Sequence, residues 1–312
     1  MKIVFLDKKT LGDDLDFSKF KEFGEVIFYQ STKKEQTLQR VKDANIVVTN
    51  KVVIDKKIMD KSKIELICVA ATGMNNIDLE YAKRKNITVK NVASYSTSSV
   101  AQLTFGMAFY LINNLKYYDT YTKDSNGWSK SEIFTHFEKT FFDIKDKTWG
   151  IIGLGEIGKE VAKIASCFGS NVIYFSTSKK NNNPLYKRVS LEELLTSSDI
   201  ISIHAPLNKE TKNLINSTNL PLLKDNVILL NLGRGGIINE KDLANFMDKK
   251  NIKVGLDVLE KEPITSDNPL LRIKNKDNLL LTPHIGWASI QSRKRLLDGI
   301  YNNIKNFLGE KQ

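Results

Sequence analysis

The sequence predicts an α/β protein made of two doubly wound parallel sheets. Short apolar strand candidates alternate with amphipathic helical stretches along nearly all of the 312 residues, the pattern of parallel sheets covered by helices on both faces. The alternation falls into two series, separated by a long apolar helix pattern and an irregular polar and aromatic segment. The second series opens on a strand pattern that runs directly into a glycine-rich turn and then a helix pattern.

The first series comprises strand candidates at 3–6, 26–29, 46–49, 64–69 and 87–89. A helix is expected over 98–119, where Leu103, Phe105, Met107, Phe109 and Leu111 place apolar side chains on more than one face, which suits burial on two sides. His136 falls in the irregular segment 121–146 and reads as a structural or subunit-contact residue rather than a catalyst. The second series has strand candidates at 148–152, 172–175, 200–204, 227–231, 254–257 and 279–281. Helices are expected at 157–168, after the Ser190/Glu193 capping pattern, at 240–249 behind the cap Asn239, and at 289–308. No internal repeat or low-complexity tract interrupts this plan.

The formal charge of +11 raises the question of nucleic acid. The lysines are scattered: pairs such as Lys56-Lys57 and Lys249-Lys250 sit among carboxylates and asparagines, and no basic stripe interleaved with aromatics emerges, so nucleic-acid binding is not expected. The excess suits anionic substrates and cofactors. No apolar run approaches the roughly 20 residues of a membrane span, and the N-terminus enters a strand pattern without signal-peptide architecture, so no membrane association and a cytoplasmic location are expected. Cys68 and Cys167 lack metal-ligand spacing and disulfide density; both read as buried free thiols, and no metal site is expected.

Gly153-Leu154-Gly155-Glu156-Ile157-Gly158 is a G-x-G-x-x-G turn between a strand and a helix, the context that marks a dinucleotide site. Gly153 permits the tight turn, Gly155 lets the backbone approach a pyrophosphate and Gly158 lets helix pack closely on strand. Near the ends of later strands stand Arg234, Glu262 and His284. Their types suit hydride chemistry on a 2-keto acid: an arginine fork holds a carboxylate, a histidine exchanges a proton with the alkoxide near neutral pH, and a carboxylate on its other nitrogen fixes the tautomer. Seen singly, each also reads as a turn cap, a surface acid and a satisfied histidine.

Asn231-Leu232-Gly233-Arg234-Gly235-Gly236, Asp257-Val258-Leu259-Glu260-Lys261-Glu262-Pro263 and Leu281-Thr282-Pro283-His284-Ile285-Gly286 resemble the three signature segments of the D-isomer-specific 2-hydroxyacid dehydrogenase family, and the resemblance covers essentially the whole chain. It implies that Arg234 binds substrate, that His284 is the general acid/base and that Glu262 is its partner. It further implies that Asp257 lies near the nicotinamide and that His204-Ala205-Pro206 and Leu232-Gly233-Arg234 line the cofactor groove. Thr49-Asn50-Lys51, Ala70-Ala71-Thr72-Gly73, Tyr95-Ser96-Thr97-Ser98 and Pro283-His284-Ile285-Gly286-Trp287-Ala288-Ser289 look like the glycerate dehydrogenase (hydroxypyruvate reductase) branch. In that branch the loop of Ala71, Thr72 and Gly73 offers backbone N–H groups to the substrate carboxylate, with Lys51 nearby and Trp287 lining the pocket; consecutive amides in such a loop make an anion-binding concavity. The family plan implies a Rossmann NAD(P)-binding domain with a dimerisation arm, 98–287, inserted in a flavodoxin-like substrate domain formed by 1–97 and 288–312, with the active site in the cleft.

NAD-preferring sites usually carry an acid about 20 residues beyond the glycines. Here the second strand of the series ends in Ser176, Thr177, Ser178, Lys179 and Lys180 without a carboxylate, which leans toward NADPH over NADH, although a site open to either cofactor fits as well. The expected reaction is NAD(P)-dependent interconversion of hydroxypyruvate or glyoxylate with D-glycerate or glycolate. Alternatives are a D-lactate or broad 2-keto acid reductase and, from another class, a nucleotide-sensing corepressor-like binding protein; no appended interaction tail speaks for the latter. A homodimer through helix 98–119 and the arm 121–146 is expected.

Overall fold

The computed structural model describes residues 1–178, 180 and 182–310, and the chain divides into one unit of Met1–Ser96 with Trp287–Gln312 and a second of Thr97–Gly286. In the first unit β1 (Lys2–Phe5), β2 (Glu25–Phe28), α1 (Lys34–Val41), β3 (Ile46–Thr49), α2 (Lys56–Asp60), β4 (Leu66–Val69), α3 (Leu79–Arg84) and β5 (Thr88–Lys90) follow in order. The strands pair in parallel as β2-β1-β3-β4-β5, the flavodoxin-like order. Central strands β3 and β4 are buried throughout because helices cover both faces. Alternate side chains enter two cores: Ile3, Phe5, Ile46 and Val48 on one face, packed by Leu296, Ile300 and Ile304 of the last helix (Ile290–Gly309), and Val4, Leu6, Val47 and Ile67 on the other.

The second unit holds α4 (Thr97–Ile112), α5 (Leu115–Lys123), β6 (Thr148–Ile152), α6 (Glu156–Cys167), β7 (Asn171–Phe175), β8 (Lys187–Arg188), α7 (Leu191–Ser197), β9 (Ile200–Ile203), β10 (Ile228–Asn231), α8 (Glu240–Met247), β11 (Lys253–Leu256) and β12 (Leu279–Leu281). Its parallel sheet runs β12-β11-β10-β9-β6-β7-β8, the Rossmann order extended by one strand. Trp149, Ile151, Ile200 and Leu230 pack with α4 and α6 on one face; Ile201, Leu229 and Val254 pack with α7 and α8 on the other. The indole N–H of Trp149, fully buried, donates to Ser202 Oγ at 2.9 Å.

Two expectations are corrected. The helix expected over 98–119 is broken, because Asn114 takes a left-handed conformation (φ 49°) between α4 and α5. The Lys253 ammonium braces the break, donating to Leu111 O at 2.8 Å and Asn114 Oδ1 at 2.5 Å, beside Asn114's own Nδ2, which donates to Ile112 O at 3.4 Å. Cys167 is exposed at the end of α6, on the side turned from the core; only Cys68 is buried, and burial pushes its thiol up to about 12. The two-residue edge strand β8 has no apolar pattern to announce it. The expected caps form: Ser190 Oγ accepts from Glu193 N at 3.0 Å, and Asn239 Oδ1 from Asp242 N at 3.1 Å.

Candidate active site

The order of the second sheet reverses between β9 and β6, and open α/β sheets bind ligands at the carboxyl ends of the strands flanking such a reversal. The glycine turn stands there. Gly153 has φ 93°, and a Cβ on it would meet Ala205 Cα at 2.9 Å; a Cβ on Gly158 would meet Gly153 O at 2.3 Å. Both positions therefore exclude larger residues. Gly155, by contrast, has nothing within 4 Å of where a Cβ would stand, which leaves the start of α6 open to a phosphate. Leu154 and Gly158 are buried, Ile157 is half-buried, and Glu156 is exposed and paired with Lys159 at 3.0 Å. At the end of β7, Ser176 is buried and its hydroxyl has no hydrogen-bond partner among the described residues. An open turn and an orphaned hydroxyl at the neighbouring strand end fit a dinucleotide's pyrophosphate and ribose. Thr177 and Ser178 follow in a surface turn; Lys179 lies outside the described residues.

His204 follows β9, with Ala205 buried and Pro206 exposed beside it. Both imidazole nitrogens of His204 are shielded from solvent and unpartnered among the described residues, and burial lowers its pKa to about 3. The ring is therefore neutral across the physiological range.

Three adjacent strand ends carry the reactive groups. After β10, Leu232 and Gly233 are buried and Arg234 is half-buried. Asn231 shapes this turn, donating from Nδ2 to Arg234 O at 2.9 Å and accepting the Gly233 N–H at 3.1 Å. A Cβ on Gly235 would lie 1.9 Å from Leu259 O, so glycine is required for the Arg234 turn to lie against the segment after β11. In that segment Glu262 Oε2 meets His284 Nδ1 at 2.7 Å, while Oε1 accepts the Leu259 N–H at 3.1 Å. Buried Glu240 pins the segment from behind, accepting from Glu260 N and from Asn268 Nδ2.

His284 follows β12 in a left-handed conformation (φ 55°). Asp257, at the end of β11, holds the backbone around it: Oδ1 accepts the Thr282 hydroxyl at 2.6 Å and the Ile285 N–H at 2.8 Å, and Oδ2 accepts the Gly286 N–H at 2.8 Å. Burial raises the Asp257 pKa, and these donors and the charge of His284 work against the rise. Asn231, Glu240, Asn268 and Thr282 were not singled out by sequence reasoning: Asn231 acts only on the backbone of its own turn, and the partners of Glu240, Asn268 and Thr282 lie 20–28 residues away.

In the first unit Lys51 is exposed after β3, and Ala71, Thr72 and Gly73 form a bend after β4. Asn91 Nδ2 donates to Thr72 O at 2.6 Å and Thr72 Oγ1 to Val92 O at 3.2 Å, which ties this bend to the segment beyond β5. Trp287 stands edge-on to Tyr95 with ring centroids 6.4 Å apart.

A Rossmann sheet with an open glycine turn after β6 at its reversal, an arginine after β10 and a carboxylate-backed histidine after β12 defines a dinucleotide-dependent oxidoreductase. The chain belongs to the D-isomer-specific 2-hydroxyacid dehydrogenase family: residues 105–286 match that family's NAD binding domain. It is 37% identical over 318 residues to a hydroxypyruvate reductase of Blautia hydrogenotrophica, covering 99% of this chain and 97% of that protein. A glycerate dehydrogenase of Methylorubrum extorquens is 34% identical over 313 residues, covering 99% and 97% respectively. Among solved structures, an acyclic imino acid reductase in complex with NADPH and D-Arg aligns with a TM-score of 0.88 at 30% identity, over 100% of this chain and 98% of that one. The chain is thus an NAD(P)-dependent oxidoreductase of D-2-hydroxyacids.

Proposed function

We propose that this enzyme interconverts hydroxypyruvate or glyoxylate with D-glycerate or glycolate in the cytoplasm, with His284 as general acid/base. The observation that carries the reading is the 2.7 Å contact of Glu262 with His284 Nδ1. With Nδ1 committed to a carboxylate, Nε2 is the nitrogen that delivers a proton to the forming alkoxide and takes it back in the reverse direction. Glu262 stabilises the imidazolium and holds the tautomer. Arg234 grips the substrate carboxylate through its planar fork and polarises the adjoining carbonyl. The bound nicotinamide supplies or accepts the hydride. Its pyrophosphate is assigned to the amides of residues 154–157, and the remaining groove to His204, Ala205, Pro206, Leu232, Gly233 and Asp257. Lys51, the amides of Ala71, Thr72 and Gly73, and Trp287 are assigned to the substrate.

The substrate class follows the hydroxypyruvate reductase and glycerate dehydrogenase to which the chain is similar. NADPH is the proposed preference. Ser176, Thr177, Ser178 and Lys180 put hydroxyls and an ammonium at the end of β7, and the sequence 176–180 carries no carboxylate to repel a 2′-phosphate. The test is oxidation of NADH and of NADPH, each with hydroxypyruvate, glyoxylate and pyruvate, followed by nicotinamide absorbance. Fastest turnover on hydroxypyruvate with NADPH supports the whole reading; preference for pyruvate moves the enzyme to the lactate branch, and better use of NADH removes the assignment of the β7 turn.

A further inference from the structure

In the first unit the strand order reverses between β1 and β3, so the carboxyl ends of these two strands flank its ligand-binding crevice. Asp7 stands just beyond β1 and Lys51 just beyond β3. The Asp7 side chain is not available to a ligand. It is only 7% exposed, and its carboxylate is spent on the backbone that carries Lys51. The Asn50 N–H reaches its two oxygens at 2.9 and 3.1 Å, the Lys51 N–H reaches Oδ2 at 2.7 Å, and the Thr49 hydroxyl lies 3.4 Å from Oδ2. Thr49 Oγ1 also accepts the Val52 N–H at 3.0 Å, which closes the turn. The turn's far side is held by Asn76, whose Nδ2 donates to Val52 O at 3.0 Å.

The Lys51 side chain, in contrast, is exposed, and among the described residues its ammonium has no carboxylate within 4 Å. A buried carboxylate thus freezes the main chain at residues 50 and 51 while leaving the ammonium uncommitted. We infer that Asp7 is a positioning residue for substrate binding, which acts by fixing the Asn50-Lys51 backbone so that the Lys51 ammonium meets the anionic substrate at a set place. The inference rests on the assignment of Lys51 to the substrate. A carboxylate is required because a carboxamide offers one acceptor oxygen to these donors and turns its own N–H groups against the others. Preset geometry of this kind lowers the ordering cost of binding and falls on substrate affinity, not on the chemical step.

The experiment is a double-mutant cycle of Asp7→Asn and Lys51→Met, read as KM for hydroxypyruvate, kcat, and Kd for the dinucleotide by protein fluorescence. Lost hydrogen bonds to a charged group make the expected rise in KM for Asp7→Asn about tenfold, with kcat within about threefold and the dinucleotide Kd unchanged. Because Asp7 acts through Lys51, the double variant has the KM of Lys51→Met within about twofold, where independent effects would multiply. Multiplying effects, or a normal KM in Asp7→Asn beside a raised one in Lys51→Met, overturn the role of Asp7 alone. A normal KM in Lys51→Met overturns the assignment of Lys51 and the role of Asp7 with it. Should Asp7→Asn fail to fold, Thr49→Val completes the cycle, since it removes the hydroxyl that links Asp7 to Val52. It is expected to raise KM in the presence of Lys51 and to change nothing in its absence; a normal KM in Thr49→Val with Lys51 intact, or the same rise without Lys51, overturns the role of Asp7.

Discussion

At the scale of single residues, two histidines of the second unit are set to opposite tasks by their surroundings. His284 is half-buried and backed by Glu262 at Nδ1, which leaves Nε2 as the nitrogen for the proposed proton transfer. His284→Ala is expected to lower kcat by about 10²–10⁴-fold with little change in dinucleotide affinity, since general acid–base catalysis contributes on that scale; steady-state kinetics beside a fluorescence titration checks it, and a loss below tenfold removes the role. His204 has its ring nitrogens sealed from solvent and its pKa lowered to about 3 by burial. In the unfolded chain a histidine takes up a proton near pH 6.5, whereas the folded chain does not. His204 therefore leaves stability intact above about 6.5 and withdraws it as pH falls toward the folded value, by roughly 2 kcal/mol at about pH 5. Urea unfolding at about pH 7.5 and about pH 5 should show a drop in stability that is smaller in His204→Asn by about that amount. An equal drop in both proteins would assign the acid sensitivity to other groups. The G-x-G-x-x-G turn was legible from its strand–turn–helix context, whereas Arg234, Glu262 and His284, ambiguous when seen singly, were singled out only by the signature segments around them. The exposure of Cys167 was not legible, since a thiol in a helix pattern gives no sign of which face it occupies.

Among the elements, the strands were the legible part and the loops between them were not. β3, β4, β9 and β10 are predominantly apolar and buried throughout because both faces of each sheet are covered. Where strand ends are joined, the joining groups come from far along the chain: Asp7 to Asn50 spans 43 residues and Asp257 to Gly286 spans 29. No window of sequence contains both partners. The break between α4 and α5 belongs to the same class, being braced by Lys253, 142 residues beyond Leu111. In each unit a buried aspartate at one strand end clamps the loop of a neighbouring strand, and the clamped loop carries a candidate site residue. Asp257→Asn replaces an acceptor oxygen by an N–H donor among the Thr282, Ile285 and Gly286 donors, so the His284 loop loses its fixed path. The expected loss is about 1–3 kcal/mol of stability, as for an unsatisfied buried donor, and a fall in kcat of about tenfold or more, because small misplacements of catalytic groups are costly. Calorimetry and steady-state kinetics measure the two; unchanged kcat in a destabilised protein would reduce Asp257 to a structural role.

For the whole molecule, the feature the fold of one chain leaves unexplained is the arm between α5 and β6. It is organised internally: His136 stacks on Tyr121 with centroids 3.8 Å apart, its Nε2 lies 2.8 Å from the Tyr117 hydroxyl, and the Trp128 indole N–H donates to Phe134 O at 3.0 Å. Yet Trp128, Ile133, Phe134, Phe137 and Phe141 are exposed, Phe134 to 88%. Aromatic side chains gathered this densely on one surface segment are the composition of a protein interface rather than of a solvated loop. The arm and α4 are the proposed homodimer contact. Half of that proposal was readable from the apolar content of the sequence; which aromatics turn inward to His136 and which outward was not, because stacking partners are chosen only when the arm closes on itself. Phe134→Ser combined with Phe137→Ser removes outward aromatic area and leaves the His136 stack untouched. Light scattering at micromolar concentration is expected to read twice the chain mass for the parent and a monomer, or a dimer that dissociates on dilution, for the variant. A parent that is already monomeric ends the dimer proposal, and a variant that stays as tightly dimeric as the parent moves the contact from the arm to α4.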